Sequence, residues 1–316
     1  MTFESLMTCF PGAAPRVAVV APGGYAADES ACARGLLALQ SIGCDVVCFY
    51  EPAQKFQRFG GTDATRLAQL DAALADPAID IVLALRGGYG FSRLLASLDF
   101  DRIAESGKLL VGHSDFTVIQ MALLAHTGTL SFAGPMLCDD FTSEAPSAFM
   151  IDSFIRCLHG PAHRIDFVCA NNPTVDVTGT LWGGNLAILT HLAGTPYLPQ
   201  VDGGILFVED VNEHPYRVER MLLQLLHAGV LARQQALVLG DFSKYRLSDY
   251  DNGYDFDAML AFLRATLPVP VLTGLPFGHM REKVTLPVGA IATLSSGGDT
   301  VSLTMHGYPS LTPAAR

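Results

Sequence analysis

The chain reads as an α/β protein, with a helix-covered parallel sheet in its first half and a mixed α+β second half ending in a small antiparallel or barrel-like unit. Three observations predict this. Short β-branched runs alternate with helix-period stretches up to about residue 140. The periodicity weakens between about 140 and 180, where Gly160-Pro161 and Asn171-Asn172-Pro173 punctuate the chain. After Pro276 the pattern becomes short alternating runs separated by glycine turns. The implied division is an N-terminal domain over 14–160, a linker over 161–178 and a C-terminal domain over 179–316.

Each element has a local reason. Val17 to Ala21 is an apolar strand stopped by Pro22-Gly23-Gly24, and Asp28 to Ile42 is a helix with an acidic start and Gly43 placed to end it. Asp45 to Phe49 is the next strand. Thr62 or Asp63 caps a helix whose apolar positions are Leu67, Leu70, Ala73 and Leu74. Ile79 to Leu85 is a buried strand that runs into Arg86-Gly87-Gly88-Tyr89-Gly90, and Leu109 to Gly112 runs into Ser114. Strands alternating with helices argue for a parallel sheet, whose ligands sit beyond the carboxyl ends of the strands. Ser114 and the glycine turn both lie at such ends. In the second half, Gly204 to Val208 and Ala236 to Gly240 read as strands, and Tyr216 to His227 and Phe256 to Leu263 as helices. Val284 to Leu286, Ala290 to Leu294 and Val301 to Met305 form the alternating runs.

Composition narrows the function classes. The chain has 316 residues, enough for a large core and two domains, and half of them are apolar. The apolar runs are strand-sized, far short of the roughly 20 residues a membrane span needs. Glu4, Pro11 and Pro15, with no basic residue before Arg16, make the N-terminus a poor signal peptide. Seven scattered cysteines without a CxxC pair fit reduced thiols in a cytoplasm. A net charge of −11 argues against unspecific nucleic-acid or anionic-membrane partners. No His/Asp/Glu/Cys set has metal-ligand spacing.

The segment Leu109 to Thr117 holds the strongest chemical signal. A strand ends in Gly-His-Ser-Asp and a helix pattern leaves it, which pushes Ser114 out of both elements and opens a helix N-terminus beside it. That geometry suits a nucleophile, and an ordinary Ser/Asp helix cap accounts for the same residues. Phe116 stands where G-x-S-x-G has its second glycine, so the α/β-hydrolase elbow is not matched. A serine nucleophile needs a base and a group to orient that base. Of nine histidines, His113 adjoins the serine and points away from it at a tight corner, while His126, His159, His163 and His306 lie in ordinary contexts. His279 is singled out by its place in the turn Leu275-Pro276-Phe277-Gly278-His279, ahead of Arg281-Glu282-Lys283. Glu209, Asp210 and Glu213 all remain candidates for the acid. The turn at 86–90 can supply amides for an oxyanion hole, paired with the amide of Asp115. It lacks the lysine of a nucleotide-binding P-loop. Trp182, between Leu181 and Gly183-Gly184-Asn185, reads as a ligand wall.

RGGYG, GHSDFT, GTLWGGNL, the run from Phe207 to Arg220 and GLPFGH together resemble, in chain order, the LD-carboxypeptidases. The likeness runs from about Val17 to the C-terminus and leaves the first dozen residues as an extension. It implies a Rossmann-like N-terminal domain, a C-terminal domain with a small β-structure, a homodimer, and neither cofactor nor metal. The implied triad is Ser114, Glu209 and His279, with the amides of Gly88 and Asp115 holding the oxyanion. The implied activity is release of the terminal D-alanine from a murein tetrapeptide or muropeptide in cytoplasmic peptidoglycan recycling. Arg86, Tyr89, Trp182, Asn185 and Arg217 are candidates for reading substrate groups. Two alternatives stand beside this: a related amidase that cleaves a peptide-nucleotide antibiotic, and a non-catalytic muropeptide-binding protein.

Overall fold

The first strand, β1 (Arg16–Val20), has four of its five residues fully buried, because the sheet it enters is covered on both faces. The computed structural model describes Phe10 and residues 13–311; apart from Phe10, the extension expected over the first dozen residues lies outside them. After β1 come α1 (Glu29–Ser41), β2 (Asp45–Cys48), α2 (Asp63–Ala75), β3 (Ile81–Ala84), α3 (Phe100–Glu105), β4 (Leu109–Gly112), α4 (Thr117–His126), β5 (Ser131–Ala133) and α5 (Ala148–His159). The predicted caps are present: Asp28 accepts from the amide of Ala31 at 2.9 Å and Thr62 from that of Thr65 at 3.1 Å. The strands order as β2-β1-β3-β4-β5 and all run parallel. The order reverses between β1 and β3, which opens a crevice at their carboxyl ends.

A second sheet follows, built from β6 (Ala162–Val168), β7 (Val175–Asn185), β8 (Gly204–Val211), β9 (Gln234–Ser243), β10 (Val271–Leu272), β12 (Ile291–Gly297) and β13 (Thr300–His306), with β11 (Leu286–Val288) lying elsewhere. Helices α6 (Leu186–Leu192), α7 (Pro215–His227) and α8 (Phe256–Thr266) connect its parallel strands. The order is β10-β9-β8-β7-β12-β13-β6. Strands β7 to β10 are parallel, and β7, β12, β13 and β6 are antiparallel. The expected antiparallel unit is therefore half of one open sheet, not a barrel. Residues 161–178, expected as a linker, carry β6 and the start of β7. Strand β6 alternates buried Ile165 and Phe167 with exposed Arg164 and Asp166, a clear period of two that the flanking Asn and Pro residues obscured. Among the described residues no helix is long and apolar enough to cross a membrane.

Two contacts fix the halves at the site. Strand β11 leaves the second half and pairs antiparallel with β5, matching Leu286 to Ala133 and Val288 to Ser131, so it covers the edge of the first sheet. Just before it, Lys283 Nζ lies 2.6 Å from Asp140 Oδ1, with the two side chains 2% and 3% exposed. A buried pair is costly to break from one side, because the survivor is left charged without a partner. Asp140→Ala should therefore destabilise the fold by about 3–5 kcal/mol, whereas Asp140→Leu combined with Lys283→Met should lose less. Chemical denaturation of the three variants checks both expectations.

Candidate active site

Beyond the strand ends lies a cleft of about 710 Å³ whose walls come from both halves of the chain. From the first half, Arg86, Gly87 and Gly88 follow β3, and His113, Ser114 and Asp115 follow β4. From the second, Asn185 ends β7, Asp210 lies on β8, and His279, Arg281 and Lys283 lie between β10 and β11. Ser114 has φ +60°, a left-handed backbone that a non-glycine residue holds only when its surroundings impose it. Its neighbour across the cleft must be glycine. A Cβ on Gly87 would sit 2.7 Å from Ser114 Oγ and 3.5 Å from the Asp115 amide nitrogen, filling the space beside both.

The histidine reaches the cleft because its loop lies across the end of β9, where the Asp241 amide donates to Phe277 O at 2.8 Å. Gly278 has φ +139°, and a side chain there would press on the Cβ atoms of Asp241 and Glu209. His279 Nδ1–H then donates to Glu209 Oε2 at 2.7 Å. Glu209 is fully buried, and its other oxygen accepts from Asn185 Nδ2 at 3.3 Å. Burial pushes the His279 imidazole down, but the hydrogen bond and charge of Glu209 outweigh it and hold the ring above its ordinary pKa. Ser114 and His279 line the same cleft, and among the described residues no hydrogen bond joins them.

The two other acids considered from sequence are engaged elsewhere. Asp210 Oδ1 accepts from Asn185 Nδ2 at 3.0 Å and from the Val211 amide at 2.9 Å, and Oδ2 accepts from the Ala187 amide at 2.9 Å. Burial and the adjacent Glu209 push its carboxyl up to about 6. Glu213 lies 3.6 Å from Arg217.

These elements are those of a known family. Residues 17–134 match the N-terminal domain of LD-carboxypeptidases and residues 178–294 the C-terminal domain. The chain belongs to the LD-carboxypeptidase family. A putative carboxypeptidase of Streptomyces coelicolor is 36% identical, covering 93% of this chain and 94% of that protein. The murein tetrapeptide carboxypeptidase of Pseudomonas aeruginosa is 32% identical, covering 88% and 92%. The crystal structure of muramoyltetrapeptide carboxypeptidase from Oxalobacter formigenes superposes with a TM-score of 0.90 at 52% identity, over 93% of this chain and all of that one. The microcin C7 self-immunity protein MccF shares the fold, with a TM-score of 0.86 at 23% identity over 96% of this chain and 100% of that one.

Not every residue singled out from sequence reaches the cleft. Arg86 and Asn185 line it. Trp182 does not: it is 1% exposed and donates from Nε1 to Gln234 Oε1 at 2.8 Å, so it is a core residue and not a ligand wall. Tyr89 points elsewhere, packing near Phe59 and under Arg58, and Arg217 stays with Glu213 on the surface. Sequence reasoning missed Lys283 and Asp140. It also set His113 aside, although that residue forms part of the wall. The His113 ring packs edge-on against His279 with centroids 5.1 Å apart, donates from Nδ1 to Gly134 O at 2.8 Å and accepts from Lys283 Nζ at 3.4 Å. Burial, then the charges of Lys283 and His279, hold it well below its ordinary pKa and hence neutral.

Because Glu209 is what raises His279, Glu209→Gln should lower the His279 titration midpoint by about one unit or more, leaving burial as the dominant influence. An NMR titration of the ring in both proteins measures the shift; an unmoved midpoint contradicts the assignment.

Proposed function

We propose that this chain is a serine LD-carboxypeptidase that hydrolyses the L,D-peptide bond of a murein tetrapeptide or muropeptide and releases the terminal D-alanine. One observation carries the reading: a buried carboxylate is bonded to an imidazole at 2.7 Å in a cleft shared with a serine at φ +60°. The names borne by the Pseudomonas and Oxalobacter relatives support the substrate class.

In this reading Ser114 Oγ attacks the scissile carbonyl while His279 Nε2 takes its proton. Glu209 fixes the tautomer by accepting from Nδ1–H and stabilises the imidazolium that forms. The amides of Gly88 and Asp115 receive the developing oxyanion; one such donor contributes about 2.7–4 kcal/mol in other serine hydrolases. The imidazolium then protonates the leaving amine, D-alanine departs, and water attacks the acyl-enzyme with His279 again as base. The absent Ser114–His279 hydrogen bond is compatible with this, since such bonds commonly tighten only when substrate arrives.

The lining also supports a peptide over a peptide-nucleotide. Among the described residues the cleft presents Arg86, Lys244 and Arg281 beside Asp139 and Asp210, both signs for a peptide with free carboxylate and amine groups, and no Phe, Tyr or Trp on which a base could stack. The full reading includes a nucleophile-bearing unit over 14–160 and an acid- and base-bearing unit over 179–316. It also includes a cytoplasmic location and a homodimer, the latter two resting on family resemblance.

Incubation with murein tetrapeptide followed by mass spectrometry should show loss of one alanine. Ser114→Ala should reduce this on the order of 10⁶-fold. Gly87→Ala should reduce it by about a hundredfold, because its methyl takes the space beside Ser114 Oγ. Retained activity in Ser114→Ala removes that residue from the role.

A further inference from the structure

The turn at 86–91 contains three glycines, and two of them, Gly88 and Gly90, have positive φ (+94° and +158°). Such a segment has little intrinsic stiffness. Yet a donor amide aimed at a transition state has to be held to a fraction of an ångström. Something outside the turn must hold it.

The holding groups lie beneath it. Asp115, next to the proposed nucleophile, turns a nearly fully buried carboxylate under the turn, where Oδ2 accepts from the Phe91 amide at 2.9 Å. The other oxygen, Oδ1, is buried and makes no hydrogen bond among the described residues, so among them only the turn anchors this side chain. Arg66 of α2, fully buried, grips the same place with opposite polarity: Nη1 donates to Gly90 O at 2.9 Å and also to Pro22 O, and Nη2 donates to Asp63 Oδ1 at 2.5 Å. At the other end of the turn the Gly24 amide donates to Gly87 O at 2.9 Å. A carboxylate takes the N–H group at 91, a guanidinium takes the C=O group at 90, and the loop after β1 takes the C=O group at 87.

We propose that Asp115 is a positioning residue that sets the width of the oxyanion hole: its backbone amide is one donor, and its side chain, with Arg66, fixes the turn that carries the other, Gly88. The inference rests on the oxyanion reading given above. A single residue thereby gauges the distance between the two donors. Burial pushes the carboxyl up to about 6, opposed by the Phe91 and Gly90 amides and the charges of Arg66 and Arg58, so near neutral pH it is ionised and can hold the Phe91 amide.

The test compares Asp115→Ala with Asp115→Asn, whose amide oxygen can still accept from the Phe91 amide. Asp115→Ser replaces the alanine variant should that one fail to fold. With murein tetrapeptide, Asp115→Ala should lower kcat by about tenfold to a hundredfold with KM within about threefold, and Asp115→Asn should recover kcat to within about fivefold of wild type. Affinity for a peptidyl boronic acid, a tetrahedral mimic, should fall in parallel with kcat/KM. Amide hydrogen exchange over residues 86–91 should quicken in the alanine variant and not in the asparagine variant. The proposal is overturned by any of three results: a kcat within threefold of wild type for Asp115→Ala, a loss confined to KM, or exchange in the turn that does not respond. If the wild-type protein releases no D-alanine, the functional reading fails instead, and the exchange measurement still judges the clamp.

Discussion

The cleft depends on one constraint, a serine held in left-handed backbone where β4 meets α4. Such a conformation costs about 1–3 kcal/mol and persists only where the flanking elements over-determine it. Here they do. Strand β4 is buried along its whole length, α4 is buried over its first seven residues, and the Thr117 hydroxyl accepts from the Asn185 amide at 3.1 Å, locking the start of α4 to the end of β7. The same bond sets how close the two halves stand, so the strain at Ser114 and the approach of the second sheet are linked.

Acidic groups crowd the cleft, and those beside the imidazole and the lysine are assigned by their donors. Asp210 is occupied by Asn185 and two backbone amides, and Asp140 by Lys283. Glu209 receives only one long bond from Asn185 and gives its other oxygen to the His279 imidazole. Occupying Asp210 and Asp140 in this way keeps them from capturing the ring in a second orientation. His113, held neutral between a carbonyl and an ammonium group, supplies the ring with an uncharged wall.

Much of this was legible in the residues. The apolar strands of the first sheet and the caps at Asp28 and Thr62 declare themselves through burial pattern and side-chain chemistry. Ser114 and His279 declare themselves because each follows an apolar run at a turn. The acid could not be chosen from residue reading alone. Glu209 and Asp210 are consecutive on β8, and which of them meets the imidazole depends on a loop laid across β9 from far along the chain. Resemblance pointed to Glu209, and it is Glu209 whose Oε2 lies 2.7 Å from His279 Nδ1. Trp182 misled because its glycine neighbours serve close strand packing: a Cβ on Gly183 would collide with Phe207 O. Lys283 was invisible because a lysine in a charged run is ordinarily solvated, and only its meeting with Asp140 makes burial tolerable.

Strand β11 carries a consequence for how the chain comes to be made. A ribosome releases β1 to β5 long before residues 286–288, so the nascent first sheet waits with the backbone of β5 unsatisfied along one side. That side closes only when residues 286–288 return, and their return places the segment just upstream, with His279 in it, over the cleft. Premature termination before this return would leave a polypeptide holding the hydroxyl, an open sheet flank, and a strong tendency to self-associate.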